Sequence, residues 1–194
     1  MLYRFQFLFP DIAVSALILC PILFYLNTEH IRNTLKSVFY YLLALYICAV
    51  YSVVGLPDLC YIRYYPNINL QPFAYMFSAW ETTLLNVILF LPFGFILPLL
   101  WTRFHNIYAT VCVGFIASLM IEFLQIFTYR ASDINDLLTN TTGTLIGWIC
   151  AKIMANHFPK TISEGSTRSF HYILVSSLGL MFFLHPLISK FIGI

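Results

Sequence analysis

Charge is scarce in this sequence. Of its 194 residues, 10 are Lys or Arg and 8 are Asp or Glu, so charged residues make up 9% of the chain, where a soluble domain carries about 25%. The net charge of +2 comes with no Lys/Arg stripe, which argues against a nucleic-acid partner. The five cysteines, Cys20, Cys48, Cys60, Cys112 and Cys150, are odd in number and include no C-x-x-C pair. Most fall in apolar runs, where Cys behaves as a small hydrophobe. No His pair has helical ligand spacing, so no metal site built from His and Cys is expected, and no cofactor is called for. A phosphate-binding glycine loop and a recognisable Ser or Cys nucleophile elbow are also lacking. Without an internal repeat or a dividing linker, residues 1–194 read as one integral membrane domain.

What the chain has is apolar surface, with 60% hydrophobic and 18% aromatic residues. A soluble domain of this length buries only about 70% of its unfolded surface, and the rest would aggregate in water. A lipid bilayer removes that conflict. Crossing a ~30 Å hydrocarbon core takes about 20 apolar residues as helix, and six runs qualify: Leu8 to Leu26, Ser37 to Leu56, Thr82 to Leu100, Ile107 to Thr128, Leu137 to Ala155 and Phe170 to Ile188. The first carries Asp11 and Pro21 and no A-x-A-like site, so it reads as a retained helix and not a signal peptide. The predicted fold is all-α, a polytopic transmembrane helix bundle of about six spans in the cell membrane.

Alternate connections divide the cations into Arg4, Arg63, Arg130 and Lys190 on one side and Arg32, Lys36, Arg103, Lys152, Lys160 and Arg168 on the other. The larger set belongs inside, which puts both termini outside. The outer connection Pro57 to Glu81 carries Tyr61, Tyr64, Tyr65, Phe73, Tyr75, Phe77 and Trp80, residues that favour the headgroup level. It is expected to lie on the outer interface.

Polar residues inside spans are costly in lipid and so face protein or water. Asn86 falls about one turn inside the outer end of the third span, and Glu122 about two turns inside that of the fourth. Glu122 and Gln125 share a helix face, and Arg130 follows at the helix exit. Asp133 lies in the connection to the fifth span, and Asp136 is placed to cap that helix. Asp136 and Asn140 share a face continued by Gly143 and Gly147, a G-x-x-x-G spacing that admits close helix approach and offers a surface for self-association. Asn86, Glu122, Gln125, Arg130, Asp133, Asp136 and Asn140 are thus expected to meet in one outward polar pocket. The competing account has Glu122 and Arg130 neutralising each other while the amides tie helices together. Three carboxylates against one arginine leave negative charge over, however, and that charge calls for a cation, a proton or a substrate. Pro92, Gly94 and Pro98 are read as packing features that kink the third span.

These motifs resemble the VanZ-like membrane proteins, a family named for a protein associated with resistance to the glycopeptide teicoplanin. The resemblance runs from about Asn69 to Trp148. It rests on Asn69-Leu70-Gln71-Pro72-Phe73, Asn86-Val87-Ile88-Leu89-Phe90-Leu91-Pro92-Phe93-Gly94-Phe95, Ser118-Leu119-Met120-Ile121-Glu122-Phe123-Leu124-Gln125, Arg130-Ala131-Ser132-Asp133-Ile134-Asn135-Asp136-Leu137 and Asn140-Thr141-Thr142-Gly143-Thr144-Leu145-Ile146-Gly147. It adds Asn69, Pro72 and Phe73 to the residues of interest. The resemblance implies a link to antibiotic resistance and the cell envelope, without a settled reaction.

Two readings of function remain open. In the first, the pocket recognises an amphiphilic envelope molecule or a glycopeptide-type antibiotic through Asn86, Gln125, Arg130, Asn140, Asn69 and Phe73, with the aromatic connection holding its apolar part. In the second, Glu122, Asp133 and Asp136 serve a membrane hydrolase or transferase acting on a lipid-linked substrate, with Glu122 as general acid or base and the aspartates orienting it or holding a divalent cation. A transporter fits less well, because the charges gather toward one face and not at the midplane.

Overall fold

The computed structural model describes residues 12–19, 21, 34–74, 76, 78–155 and 167–192. It is all-α apart from one pair of two-residue strands. The elements in chain order are α1 (residues 12–19), α2 (Thr34–Val54), β1 (Ile68–Asn69), α3 (Trp80–Leu100), α4 (Ile107–Gln125), β2 (Ser132–Asp133), α5 (Ile134–Met154), α6 (Thr167–Gly179) and α7 (His185–Ile192). A 3-10 turn, Thr102–His105, joins α3 to α4, and a π turn, Leu180–Leu184, joins α6 to α7. Most of the first predicted span, Asp11 included, and most of the Lys152 to Arg168 connection lie outside the described residues. Leu35–Val54, Trp80–Leu100, Ile107–Gln125 and Arg168–Ile188 are long and apolar enough to cross a membrane. α5 is as long as α3, at 21 residues, or about 31 Å. It is too polar to join that set, and its buried face says why.

The chain divides into two compact units, Met1–Ile62 with Ser166–Ile194, and Arg63–Gly165. In the first unit, Tyr40, Leu43, Ala44 and Cys48 of α2 are buried with Ile173, Leu180 and Met181. Gly55 ends α2 with φ 65, the left-handed value that Gly adopts without Cβ strain. The sixth predicted span is interrupted for a local reason. Pro186 has no N–H to give the Phe182 carbonyl four residues back, and that carbonyl accepts the Leu59 N–H at 3.0 Å instead. The backbone adjusts through a π turn, in which the His185 N–H reaches the Leu180 carbonyl.

The second unit holds α3, α4 and α5; α3 buries Phe90, Phe93, Leu97, Leu99 and Leu100, whereas α4 and α5 are inside out relative to the helices of a soluble bundle. The buried face of α5 is Asn135, Thr139, Asn140, Gly143, Thr144, Gly147 and Ala151, while Leu138, Ile146, Ile149 and Ile153 are exposed. The same holds for α4, which buries Thr110, Gly114, Ser118, Glu122 and Gln125 along with Ile121 and exposes Phe115, Ile116, Leu119, Met120 and Phe123. Small and polar residues between helices with large apolar ones outside is the distribution that lipid favours, since tails gain nothing from hiding Leu.

Small residues set the helix spacing. A Cβ on Gly143 would overlap the Val87 carbonyl oxygen, one on Gly147 the Leu91 carbonyl oxygen, and one on Gly94 the Thr144 carbonyl oxygen. The α3 and α5 backbones therefore lie in direct contact, at a range where Cα–H groups face carbonyl oxygens. Thr144, fully buried, also fills the space left by Gly114 of α4. This corrects the expectation of self-association through Gly143 and Gly147: α3 of the same chain already covers that face. Pro92 and Pro98 do not end α3, which is helical through both.

Candidate functional site

The site forms where α3 begins, α4 ends and α5 begins. Segment 63–69 runs along the end of α4 and the connection that follows it. The N–H of Arg63 bonds the Phe127 carbonyl and that of Tyr65 the Ile126 carbonyl, each at 2.9 Å, and the Ser132 N–H bonds the Asn67 carbonyl at 2.8 Å. β1 and β2 then pair in parallel, Ile68 with Ser132 and Asn69 with Asp133. Rings of Tyr64 and Phe127, and of Tyr65 and Tyr129, meet at centroid distances of 6.1 and 5.9 Å, and the Arg63 guanidinium lies 6.0 Å from the Tyr129 ring centroid. The outer connection, expected only as an interfacial segment, thus has a specific register. Its polar end delivers Asn69 to the carboxylates.

Each carboxylate has its own donor. Glu122, 6% exposed, accepts the Asp133 N–H on Oε2 at 2.7 Å, and the Ser132 side chain is a further partner. Asp133 accepts the Asn135 N–H on Oδ1 at 2.8 Å and the Asn69 Nδ2 on Oδ2 at 3.1 Å. Asp136 accepts Asn86 Nδ2 on Oδ1 at 2.6 Å, and Arg130 lies close enough to attract its charge. Asp133 and Asp136 both lie close enough to Glu122 to repel its charge. Among the described residues no group of three His, Cys, Asp or Glu side chains is arranged to hold a metal ion, because these carboxylates turn toward separate protein donors.

The predicted cap is corrected by one turn of chain. The strand pairing keeps Asp133 extended, at φ −127 and ψ 125, and its side chain caps α5. Asp136 falls in the first helical turn and is free to face Asn86 across to α3. Asp133→Ala removes both the cap and the Asn69 bond, and should lower stability by about 2 kcal/mol. A urea titration of the purified protein in micelles, with Asn69→Ala as the partner substitution, reads that loss.

Of the other predicted residues, Gln125 is buried as the last residue of α4. Asn140 sits deeper, bonding Ser118 Oγ through Nδ2 at 3.0 Å, with no partner for its Oδ1 among the described residues. Asn140 is one turn below Asp136 and Ser118 one turn below Glu122, so a polar column continues from the carboxylates into the bundle. Phe73 reaches the site by its backbone, whose N–H bonds Asn135 Oδ1 at 2.7 Å, while its side chain is 68% exposed. Sequence reasoning missed Asn135, Ser118 and Ser132. Ser118 carried a signal, since it lies four residues before Glu122 on the same face. Asn135 carried none, because a polar residue between two aspartates reads as connection.

Searches of curated proteins and of solved structures return no match to this chain. A family model described as VanZ/LLP1 matches residues 15–155. That match takes in part of the first predicted span and all of the second, upstream of the motifs that carry the resemblance, and agrees with the helices of membrane length. The chain belongs to the VanZ/LLP1 family of membrane proteins.

Proposed function

We propose that this end of the three-helix unit faces the outside of the cell membrane in a multi-pass chain, and that it recognises an amphiphilic envelope molecule or a glycopeptide-type antibiotic, contributing to resistance. The observation that carries this reading is the convergence of Glu122, Asp133, Asp136, Asn86 and Asn69 through the bonds at 2.6, 2.7 and 3.1 Å beside an exposed apolar rim of Tyr64, Leu70, Phe73 and Trp80. Three carboxylates and Arg130 supply a polar half, and the rim supplies an apolar half. The outward orientation is supported by Arg103 and Lys152 at the opposite end of the same helices. The alternative is a membrane hydrolase or transferase acting on a lipid-linked envelope substrate. The burial of Glu122 beside two further carboxylates favours it, with Glu122 as acid or base, Asp136 in support and Asp133 restricted by its capping role.

Glycopeptide susceptibility in a host expressing wild type, Glu122→Gln or Asp136→Asn tests the site, with membrane abundance matched. Both substitutions keep an oxygen acceptor for the observed bonds and remove the charge. The expected result is at least a fourfold loss of protection for either variant. Equal protection by all three makes the cluster helix-tying structure and removes both readings. Product formation from a lipid-linked precursor by the wild type alone selects the enzyme.

A further inference from the structure

Asn140 is 3% exposed, yet its side chain is only half used. Its Nδ2 donates to Ser118 Oγ at 3.0 Å, and its backbone carbonyl accepts the Thr144 hydroxyl at 3.0 Å. Its Oδ1 has no partner among the described residues. A buried amide oxygen without a donor costs free energy, and in a folded protein such an atom points to a bound water or ion.

The surroundings of that oxygen decide between the two. The amide lies in the seam between α4 and α5, because Nδ2 reaches across it to Ser118. Side chains on a helix lean toward its N-terminus, so Asn140 leans toward Asp136, one turn or about 6 Å nearer the start of α5. Glu122 stands one turn from Ser118 in the same direction along α4, close enough to Asp136 for the two carboxylates to repel. Ser118, Glu122, Asp136 and Asn140 thus make a four-cornered frame of oxygen groups. One edge is the Asn140 to Ser118 bond, and the opposite edge is the repelling pair. A water satisfies Oδ1 and leaves that repulsion in place, whereas a cation answers both.

The charge count sets the kind of cation. Asp133 has a donor on each oxygen and the N-terminal dipole of α5 beside it. Arg130 attracts Asp136 and offsets one of the two remaining carboxylates, so a negative charge is left at the frame. Among the described residues no group of three His, Cys, Asp or Glu side chains is arranged to hold a metal ion, which is too little carboxylate for a divalent ion on protein ligands. Ligands that are all oxygen suit a hard ion and not a soft metal. Entry is from the outer end, where Asp136 is partly exposed. At the other end fully buried Thr144 fills the space beside Gly114, so the frame is a resting place and not a passage.

We propose that the space between Asn140 Oδ1 and the carboxylates of Glu122 and Asp136 is a site for one monovalent cation, Na+, held on oxygen alone. Ser118 is a positioning residue that turns the amide so that its oxygen faces the ion. This goes beyond the recognition reading: it shares Glu122 and Asp136 with it and requires no outer ligand.

The test is binding of radiolabelled Na+ to the purified protein in micelles, with ionic strength held by choline chloride and binding normalised to folded protein by circular dichroism. Wild type should bind saturably, and its thermal transition should rise by about 5 °C when Na+ replaces choline at ~100 times the dissociation constant. Asn140→Ala and Asp136→Asn should each weaken binding by tenfold or more. Asn140→Asp, which keeps an oxygen at that corner, should bind at least as tightly as wild type. Ser118→Ala breaks the same bond as Asn140→Ala but keeps the amide oxygen, and should bind more tightly than Asn140→Ala. A wild type without saturable binding, or with the same transition in Na+ and choline, overturns the site and makes the partner of Oδ1 a water. Equal losses in Ser118→Ala and Asn140→Ala, or an Asn140→Asp that binds no better than Asn140→Ala, overturn the role of the amide oxygen. Displacement by Ca2+ at far lower concentration than by Na+ overturns the monovalent assignment. None of these outcomes alters glycopeptide protection, and equal protection by Glu122→Gln and wild type removes the recognition reading with the Na+ site intact.

Discussion

Gly147→Val should leave little folded protein. The first atom of any side chain there would overlap the Leu91 carbonyl oxygen and come within 2.8 Å of the Phe95 nitrogen and 3.0 Å of the Gly94 carbonyl carbon. All three are backbone atoms of α3, so no rotamer change relieves the contact, and the helices must separate along their length. Overpacking a well-filled interior costs about 1–3 kcal/mol when side chains can yield. A backbone-on-backbone clash belongs at or beyond the upper end of that range. Thermal unfolding in micelles, followed by circular dichroism, should show the transition of Gly147→Val far below wild type, and Gly94→Val should behave alike because its Cβ meets the Thr144 backbone. Gly179→Ala is the internal contrast. Among the described residues nothing beyond its own helix lies within 4 Å of a Cβ there, and its φ of −64 suits any residue. It should be neutral or stabilising by about 0.5–1 kcal/mol. A Gly147→Val protein that melts with wild type would rule out the direct α3–α5 backbone contact.

Asn86→Leu should cost about 2–3 kcal/mol and should do so only while Asp136 is charged. Interhelical hydrogen bonds between neutral side chains in membranes average about 0.6 kcal/mol, which is the expectation for Asn140 with Ser118 at 3.0 Å. The Asn86 bond is shorter, at 2.6 Å, and its acceptor is a carboxylate; bonds to charged groups contribute about 1.5–3 kcal/mol. Asn86 is also buried, so its loss leaves the Asp136 oxygen one donor short. A double-mutant cycle of Asn86→Leu with Asp136→Leu, read by denaturant titration in micelles, should give a coupling above about 1 kcal/mol. The Ser118→Ala with Asn140→Leu cycle should give less. Equal couplings would mean that charge does not distinguish the two bonds.

Composition and periodicity alone determined that this is an all-α chain with helices of membrane length, and they placed α2, α3, α4 and α5 within a few residues. Apolar runs of that length have few other stable outcomes. The gathering of Asn86, Glu122, Asp133 and Asp136 was also legible, because helical spacing puts each on a face and short connections put those faces at one end. Three things were decided only by tertiary structure. The cap of α5 passed from Asp136 to Asp133, because a two-residue pairing with Ile68 and Asn69, 64 positions earlier, holds Asp133 extended. The Gly143 and Gly147 face was taken by α3 and not by a second copy, since local spacing says that a helix can approach but not which one. Asn135 became the anchor of the Phe73 loop, a role that exists only once residues 62 positions apart have been brought together. Local chemistry, repeated at helical period, can be read along a chain. A bond between distant segments depends on where the rest of the fold has put each of its ends.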